Sequence, residues 1–435
     1  MDVTCPVWWV SYNLRAWMRI SSVLFCCRCL PPKISIRHES TEMANNSNLG
    51  AAKAAKNDEF YTQYADIQKE VNAYLEYNPD TFRDKTVLLP CDDPEWSNFT
   101  RFFAQNFERL GLKRLISTSY AVESKKYKNY QPTLFETSSA WYDVDKTRIK
   151  GKIFELTRDV NGNGRIDLDD LEWHYLEGDG DFRSKEVCEL RDEADIIVTN
   201  PPFSLFREFI TWCINSNKLF LLIGNINAIT YKEVFPSIKG NLLWLGVTGF
   251  MTDMVFQVPK GTEVDPKDKA KAARLGYVGD YTRLGNSCWF TNIDHGRRHE
   301  PMTLMTMKDN IRYGKHKDLR EEGYLHYYNY DAIDVPHVDS IPSDYNGEMG
   351  VPITFIDKYC PDQFEIIDDG TEVPKTKEHI SYKNKGIITY EIKGEVVWSA
   401  PYTVSERKLG NSLRIERNGL PTNCPFGRII IRKKQ

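Results

Sequence analysis

Ala194-Asp195-Ile196-Ile197-Val198-Thr199-Asn200-Pro201-Pro202-Phe203 passes from an apolar run straight into a double-proline turn. A short apolar run bounded by turn residues reads as a buried strand. Proline fixes φ and removes a backbone donor, so the chain turns tightly after Asn200. Ser204 follows as a candidate N-cap, and Leu205, Phe206, Phe209 and Ile210 have helical spacing. Leu219-Phe220-Leu221-Leu222-Ile223-Gly224 supplies the next buried strand. Strand, turn, helix and strand in this order build a doubly wound α/β sheet.

A second unit of the same kind lies upstream. Tyr64, Ile67, Val71 and Leu75 mark a helix over 63–78, and Thr86-Val87-Leu88-Leu89-Pro90 reads as a strand. The acidic turn Cys91-Asp92-Asp93-Pro94 follows, Ser97 or Asn98 caps a helix through Phe102, Phe103, Phe107 and Leu110, and Gly111 ends it. Arg114-Leu115-Ile116-Ser117-Thr118 is the next strand. Downstream, Leu242–Val247 and Cys288–Asn292 are further strand candidates, separated by a polar loop over 258–286 with a Lys/Asp-rich middle. Beyond residue 300 tyrosines and turns multiply, and runs such as Gly386–Tyr390 read as irregular β structure.

Composition sets the outer limits. The chain has 435 residues, 41% hydrophobic, enough for a large core and a smaller companion region. With 57 basic against 61 acidic side chains, any nucleic-acid surface has to be a local basic face rather than an overall excess. Arg428–Lys434 is one local basic cluster, readable either as a solvated tail or as a phosphate contact. The ten cysteines suggest no disulfide framework and fit a reduced, cytoplasmic compartment. No apolar run reaches the roughly 18 residues of a membrane span, so no membrane association is expected. The expected organisation is a disordered leader or mis-assigned start over 1–42, with Met43 as a natural first residue, then a catalytic domain over 43–300 with an insertion at about 150–178, and a C-terminal region over 301–435.

The chemistry concentrates at Asn200-Pro201-Pro202-Phe203. The lone pair of an exocyclic ring amine is delocalised, so the amine is a poor nucleophile. An Asn oxygen and the following carbonyl can accept both amine hydrogens, localising that lone pair and aiming it. Phe203 can stack on a base swung out of a duplex. A plain Asn-Pro turn is the competing reading. Asp92 and Asp93, at the end of a strand, can hold an ammonium group of a ligand or simply stabilise a helix start.

In order along the chain occur Asp58-Glu59-Phe60-Tyr61-Thr62-Gln63, Cys91-Asp92-Asp93-Pro94, Gly178-Asp179-Gly180-Asp181-Phe182-Arg183-Ser184, Asn200–Arg207, Asn227–Glu233 and Asp344-Tyr345-Asn346-Gly347. Together these segments resemble the EcoRI-type DNA adenine-N6 methyltransferase family, over nearly everything from residue 43 onward. The resemblance implies a class I S-adenosylmethionine-dependent fold, Rossmann-like and mostly parallel, with C-terminal target recognition. It implies methylation of a flipped adenine in double-stranded DNA, a monomer, and a cognate restriction endonuclease as the counterpart. Carried over by position, Asn200, Pro201, Pro202 and Phe203 form the catalytic loop. Phe60, Tyr61, Asp92, Asp93, Asp181 and Phe182 contact the cofactor. The first loop lacks the glycines usual in adenine methyltransferases, and no acid directly follows the second strand, where Glu123 is the nearest carboxylate.

One further pattern points to calcium. Asp159, Asn161, Asn163, Arg165, Asp167 and Asp170 occupy the ligand positions of a calcium loop, with Gly164 at the sixth. An Asn-Gly turn in an insertion accounts for the same residues. Two rival functions remain: a protein-glutamine methyltransferase, whose amide substrate suits a similar acceptor loop, and a non-catalytic DNA- or calcium-binding module.

Overall fold

Alternation along the central strands explains why this chain forms a sheet covered on both sides. In the computed structural model, Val87 and Leu89 of β2 (Thr86–Leu89) enter one apolar cluster and Leu88 the other. The pattern continues through β6 (Ile196–Thr199), β7 (Leu219–Asn225) and β11 (Ser287–Thr291). Ile196, Val198, Leu221, Ile223 and Trp289 face one way, and Ile197, Phe220, Leu222 and Phe290 the other. Side chains alternate across a strand, so a sheet with two buried faces must be apolar at nearly every position. Helices α1 (Tyr64–Tyr77), α2 (Asn98–Gln105) and α3 (Phe107–Leu110) cover the first face. Three more, α5 (Lys185–Glu193), α6 (Phe206–Ser216) and α7 (Phe235–Lys239), cover the second.

The structure describes residues 60–434 apart from 94–96, 122–136, 138–140, 249–253, 261, 371–378, 385–386, 393–394, 402–412, 418–419 and 425. The expected leader, Met43, Pro94 and the ribose candidate Glu123 therefore lie outside the described residues.

The sheet is completed by β3 (Arg114–Ser119), β4 (Lys152–Leu156), β5 (Glu172–Tyr175) and β8 (Trp244–Leu245), in the order β5-β4-β3-β2-β6-β7-β11-β8. Strands β3, β2, β6 and β7 pair in parallel. Strand β11 is antiparallel between β7 and β8, and β4 is antiparallel between β3 and β5. The hairpin of β4 and β5 follows α4 (Val144–Ile149), lies within the span read as an insertion, and extends the main sheet beyond β3.

A small antiparallel sheet joins β1 (Tyr61–Thr62), β9 (Val255–Gln257) and β10 (Tyr281–Arg283). The segment expected to be a polar loop is thus partly ordered: α8 (Pro266–Arg274) connects β9 to β10. Asp265 caps it, its side chain accepting from the Lys267 amide, and Pro266 occupies the first turn. Those signals, with Ala- and Lys-rich content, make a helix without an apolar stripe. Ser204 also differs from expectation. It lies inside a 3-10 turn (Phe203–Leu205), so the main helix starts at Phe206 without a Ser cap.

The C-terminal region builds a second sheet from β12 (Leu325–His326), β13 (Ile333–Asp334), β14 (Met349–Pro352), β15 (Phe364–Asp368) and β21 (Arg428–Lys433), ordered β12-β13-β14-β21-β15. Between β15 and β21 lie a meander of β16 (His379–Asn384), β17 (Ile387–Ile392) and β18 (Glu395–Pro401), and the pair β19 (Arg414–Arg417) and β20 (Leu420–Asn423). Met349, Val351, Phe364, Ile429 and Ile431 belong to the same apolar cluster as α6 and α7, so this sheet packs on the helix layer of the first. Ahead of β12, α9 (Met307–Tyr313) leads to α10 (Lys317–Glu322). There two His-x-Asp segments interlock: His316 pairs with Asp339 at 2.8 Å and His337 with Asp318 at 2.9 Å, with the imidazoles stacked. Among the described residues no helix is long and apolar enough to cross a membrane.

The arginines of the basic C-terminal cluster are paired within the fold. Arg428 is buried, its Nε 2.8 Å from Asp334, and the Tyr327 hydroxyl donates to the same carboxylate at 2.6 Å. Arg432 reaches both Glu365 and Glu348. Removing one partner of a buried pair strands the other charge. Arg428→Met should therefore lower stability by about 3–5 kcal/mol in urea unfolding, and Asp334→Leu added to it should recover part of that loss. Equal stability of the single variant and the wild type would contradict the pairing.

Candidate active site

The turn at Asn200 sits at the C-terminal end of β6, in the middle of the sheet, where open α/β sheets hold their ligands. The helix that follows is seated flush by a missing side chain. A Cβ on Gly224 of β7 would lie 2.2 Å from the Phe206 ring, so only glycine lets that ring lie on the strand. Both Pro201 and Phe203 are buried, and Pro202 enters the 3-10 turn at φ −53°.

Asn200 has one occupied and one vacant polar atom. Its Nδ2 donates to the carbonyl of Phe60. A carbonyl only accepts, so this contact fixes which end of the amide is nitrogen. The other end, Oδ1, is buried with no hydrogen-bond partner among the described residues. Buried acceptors are almost always satisfied, so this oxygen is open to a donor from outside the chain, a water or a ligand.

Asp92 and Asp93 share the turn after β2, but they differ in role. Asp92 is buried. The hydroxyls of Ser97 and Thr199 donate to its two carboxylate oxygens at 2.6 and 2.5 Å, and its own carbonyl accepts from Ser117. Asp92 therefore ties the ends of β2, β3 and β6 together, one residue before Asn200. Burial pushes its carboxyl up to about 7, with the two hydroxyl donors pulling the other way and the Asp93 charge adding to the rise. Asp93 is half-buried beside it, the better exposed of the two carboxylates. Asn98 donates to the Thr62 carbonyl at 2.8 Å, linking this turn to β1.

Phe60 precedes β1 and stacks on Phe203, ring centroids 5.4 Å apart. Phe256 of β9 meets both edge-on at 6.1 Å. One face of the Phe203 ring is thus covered by Phe60. Tyr61 pairs with Gln257 across the small sheet.

Asp181 reaches the end of β3 from far along the chain. The Tyr120 hydroxyl, just past β3, donates to it at 2.6 Å, and Arg183 pairs with it at 2.7 Å. Burial alone would raise the Asp181 carboxyl, but the Arg183 and Tyr120 bonds outweigh it and hold the group down at about 2. Gly180 permits the approach: its φ is +87°, and a Cβ there would meet the Ser119 carbonyl oxygen at 2.5 Å. This places a carboxylate beside the second parallel strand, where the sequence offered none adjacent in the chain. Phe182, by contrast, is buried in the helix layer, edge-on to Phe209 and Trp212.

The calcium-pattern residues stand apart from this site, on the connection between β4 and β5. Asp159 accepts from the Gly162 and Gly164 amides, Asn161 from Asn163, Asn163 from Arg165, and Asp170 from Val160, Asn161 and Asp167. A strand leads in and a single 3-10 turn leads out, not the paired helices of an EF-hand. Turn formation accounts for the Asp, Asn and Gly pattern, and the relatives described below add no support for a metal there.

Three residues of the site carried no local sign of their role: Thr199, which reads as one more strand position, Tyr120, and Phe256, nearly 200 positions from Phe60. Only the fold brings them in.

Late strand β11 slotted antiparallel beside the parallel strand β7, with β8 at the edge, is the topology of a class I methyltransferase. The family model described as adenine-specific methyltransferase EcoRI matches residues 48–434, and the chain belongs to that family. It is 43% identical over 325 residues to type II methyltransferase M.EcoRI of Escherichia coli, covering 74% of this chain and 89% of the relative. It is 35% identical to type II methyltransferase M.MgeORF184P of Mycoplasma genitalium, over 74% of this chain and 86% of that one. The match to type II methyltransferase M.MpnI of Mycoplasma pneumoniae is also 35%, over 73% and 84%. No solved structure gives a significant match. Membership in the family implies S-adenosylmethionine as the methyl donor.

The Asp92 clamp gives a pH signature. Its carboxyl ionises near 3.8 in an unfolded chain and near 7 when buried, so the fold favours the protonated form. That contribution is complete below about pH 4 and is lost as pH rises through about 7. Between about pH 5 and pH 8 the wild type should lose on the order of 2 kcal/mol relative to Asp92→Asn, which cannot ionise. Urea unfolding across that window reads the difference, and parallel profiles for the two proteins would refute it.

Proposed function

We propose that this protein methylates the N6 amine of adenine at a specific site in double-stranded DNA, protecting that site from a cognate restriction endonuclease. The observation that carries the proposal is the vacant, buried Oδ1 of Asn200, held in place by the Nδ2 bond to Phe60. An acceptor so fixed suits one hydrogen of an incoming amine, and the Pro201 carbonyl is the candidate for the second. Localising the amine lone pair in a preorganised, dry setting is where such a site gains rate. The target adenine is buried in a duplex and has to be flipped out to reach it. Phe203 is the candidate stacking surface, through the face that Phe60 leaves open.

The residues present also suit the methyl donor. Bound there, S-adenosylmethionine supplies an electrophilic methyl group. Asp93 is the candidate partner for its ammonium group, and Phe60 and Tyr61 wall the pocket. Asp181, beside the end of β3, is the candidate for its adenosine end, in place of the missing acid after that strand. The C-terminal region over 301–435 is assigned target recognition, and the protein is expected to act as a cytoplasmic monomer.

Asn200→Ala should cut methyl transfer to DNA by at least about a hundredfold while leaving S-adenosylmethionine binding within about twofold. Radiolabel incorporation into duplex DNA and calorimetric cofactor titration read the two quantities. Undiminished transfer would remove Asn200 from its role. Label appearing in protein rather than DNA would favour the glutamine methyltransferase instead.

A further inference from the structure

A DNA methyltransferase with four more acidic than basic side chains must meet phosphates through a local surface. The C-terminal basic strand does not provide it, since Arg428 and Arg432 are committed to Asp334, Glu348 and Glu365. We propose that the arm connecting β9 to β10, with α8 as its centre, grips the DNA backbone beside the flipped adenine. This rests on the methyltransferase reading above and assigns the arm its partner.

Charge is the first argument. Helix α8 carries Lys267, Lys269, Lys271 and Arg274 against one acid, Asp268. All four cations are exposed. Lys271 makes a loose pair with Asp268 at 3.6 Å, and Lys267, Lys269 and Arg274 have no ion-pair partner among the described residues. A helix that places this much like charge together on an isolated surface gains nothing from it, because neighbouring like charges repel.

Geometry is the second. Lys267, Lys271 and Arg274 stand at i, i+4 and i+7, so they form one stripe, about 10 Å long at 1.5 Å per residue. Ala272 is the buried residue of the helix, and it lies well round from that stripe. The packing face therefore meets β10 and the cationic face looks outward. A strand of duplex DNA presents a phosphate charge every few ångströms, so such a stripe matches consecutive phosphates.

Position is the third. The arm is rooted in the wall of the active site. Strand β9 pairs Gln257 with Tyr61 and Phe256 with Thr62, and the Phe256 ring touches both Phe60 and Phe203. Phe60 is the residue whose carbonyl holds Asn200. A phosphate grip on this arm thus acts through a short rigid connection on the strand next to the flipped base. The exposed aliphatic side chains Leu275 and Val278 follow the helix at the arm's end, where a duplex would cover them.

The test is DNA binding by the full-length protein as a function of salt. Each phosphate contact contributes about 0.9 to the slope of log affinity against log salt on B-form DNA. Lys267→Glu/Lys271→Glu/Arg274→Glu should flatten that slope by about 2–3 and weaken binding at low salt at least about tenfold. The Gln versions of the same three should show the same flattening with a smaller loss. Cofactor affinity without DNA should stay at the wild-type value for both. Lys113→Glu, an exposed lysine just before β3, at the end of the parallel strands away from the Asn200 turn, is the control and should change neither quantity. Wild-type slope and affinity in both triple variants, with the wild-type enzyme methylating DNA normally, would overturn the arm's role alone. Failure of the wild type to methylate DNA at all would overturn the reading beneath it as well.

Discussion

A buried carboxylate holding two hydroxyls joins the ends of the strands that make this site. Ser97, just before α2, and Thr199, last in β6, both donate to Asp92, and Ser117 of β3 bonds the Asp92 carbonyl. A parallel sheet fixes strand spacing through its ladder, but the ladder stops where the strands end. Beyond that point the loops need their own cross-links if they are to present side chains in a fixed relation. Asp92 supplies them, at the cost of holding a carboxyl where ionisation is disfavoured.

The consequences pass outward from that clamp. Thr199 is fixed, so Asn200 leaves β6 in one direction, and its amide lands on the Phe60 carbonyl. Asn98, one residue past the clamp's Ser97, holds β1 through the Thr62 carbonyl. The two ends of the Asn200 amide are therefore used differently: the nitrogen locks the loop to the N-terminal segment, and the oxygen has no partner among the described residues, as the proposed amine contact requires. Glu70 of α1 repeats the device further round, its buried carboxylate accepting from the amides of Val247 and Thr248 at the foot of the segment that leads to β9. Polar groups at strand ends, rather than the apolar core, set the positions that matter for chemistry.

Much of this was legible in the sequence, and the reason is local. Runs such as Val87–Leu89 and Ile196–Val198 are apolar at every position because both faces of the sheet are buried, and Ser97 and Gly111 mark the first helical layer at both ends. The turn at Asn200 was legible as a turn because prolines after an asparagine end a strand abruptly. What stayed hidden was non-local. Asp181 was named only through the family resemblance; that it lies beside β3, some 60 residues after Tyr120, depends on Gly180's left-handed backbone and shows only in the fold. Phe203 seemed free to stack, yet Phe60 already lies on it. Helix α8 was hidden for another reason: with one buried residue, Ala272, it has no apolar period to read. The C-terminal arginines stayed ambiguous because charge in a sequence does not reveal whether its partners, Asp334 or Glu348, wait in the fold.

Whether the vacant oxygen receives the amine is best settled by a structure of the protein with an unreactive S-adenosylmethionine analogue and duplex DNA containing its methylatable adenine. The account predicts an extruded adenine whose N6 lies within hydrogen-bond distance of Asn200 Oδ1, with Nδ2 still on the Phe60 carbonyl. An adenine whose amine is held by other side chains, with Asn200 Oδ1 facing water or protein, would contradict it.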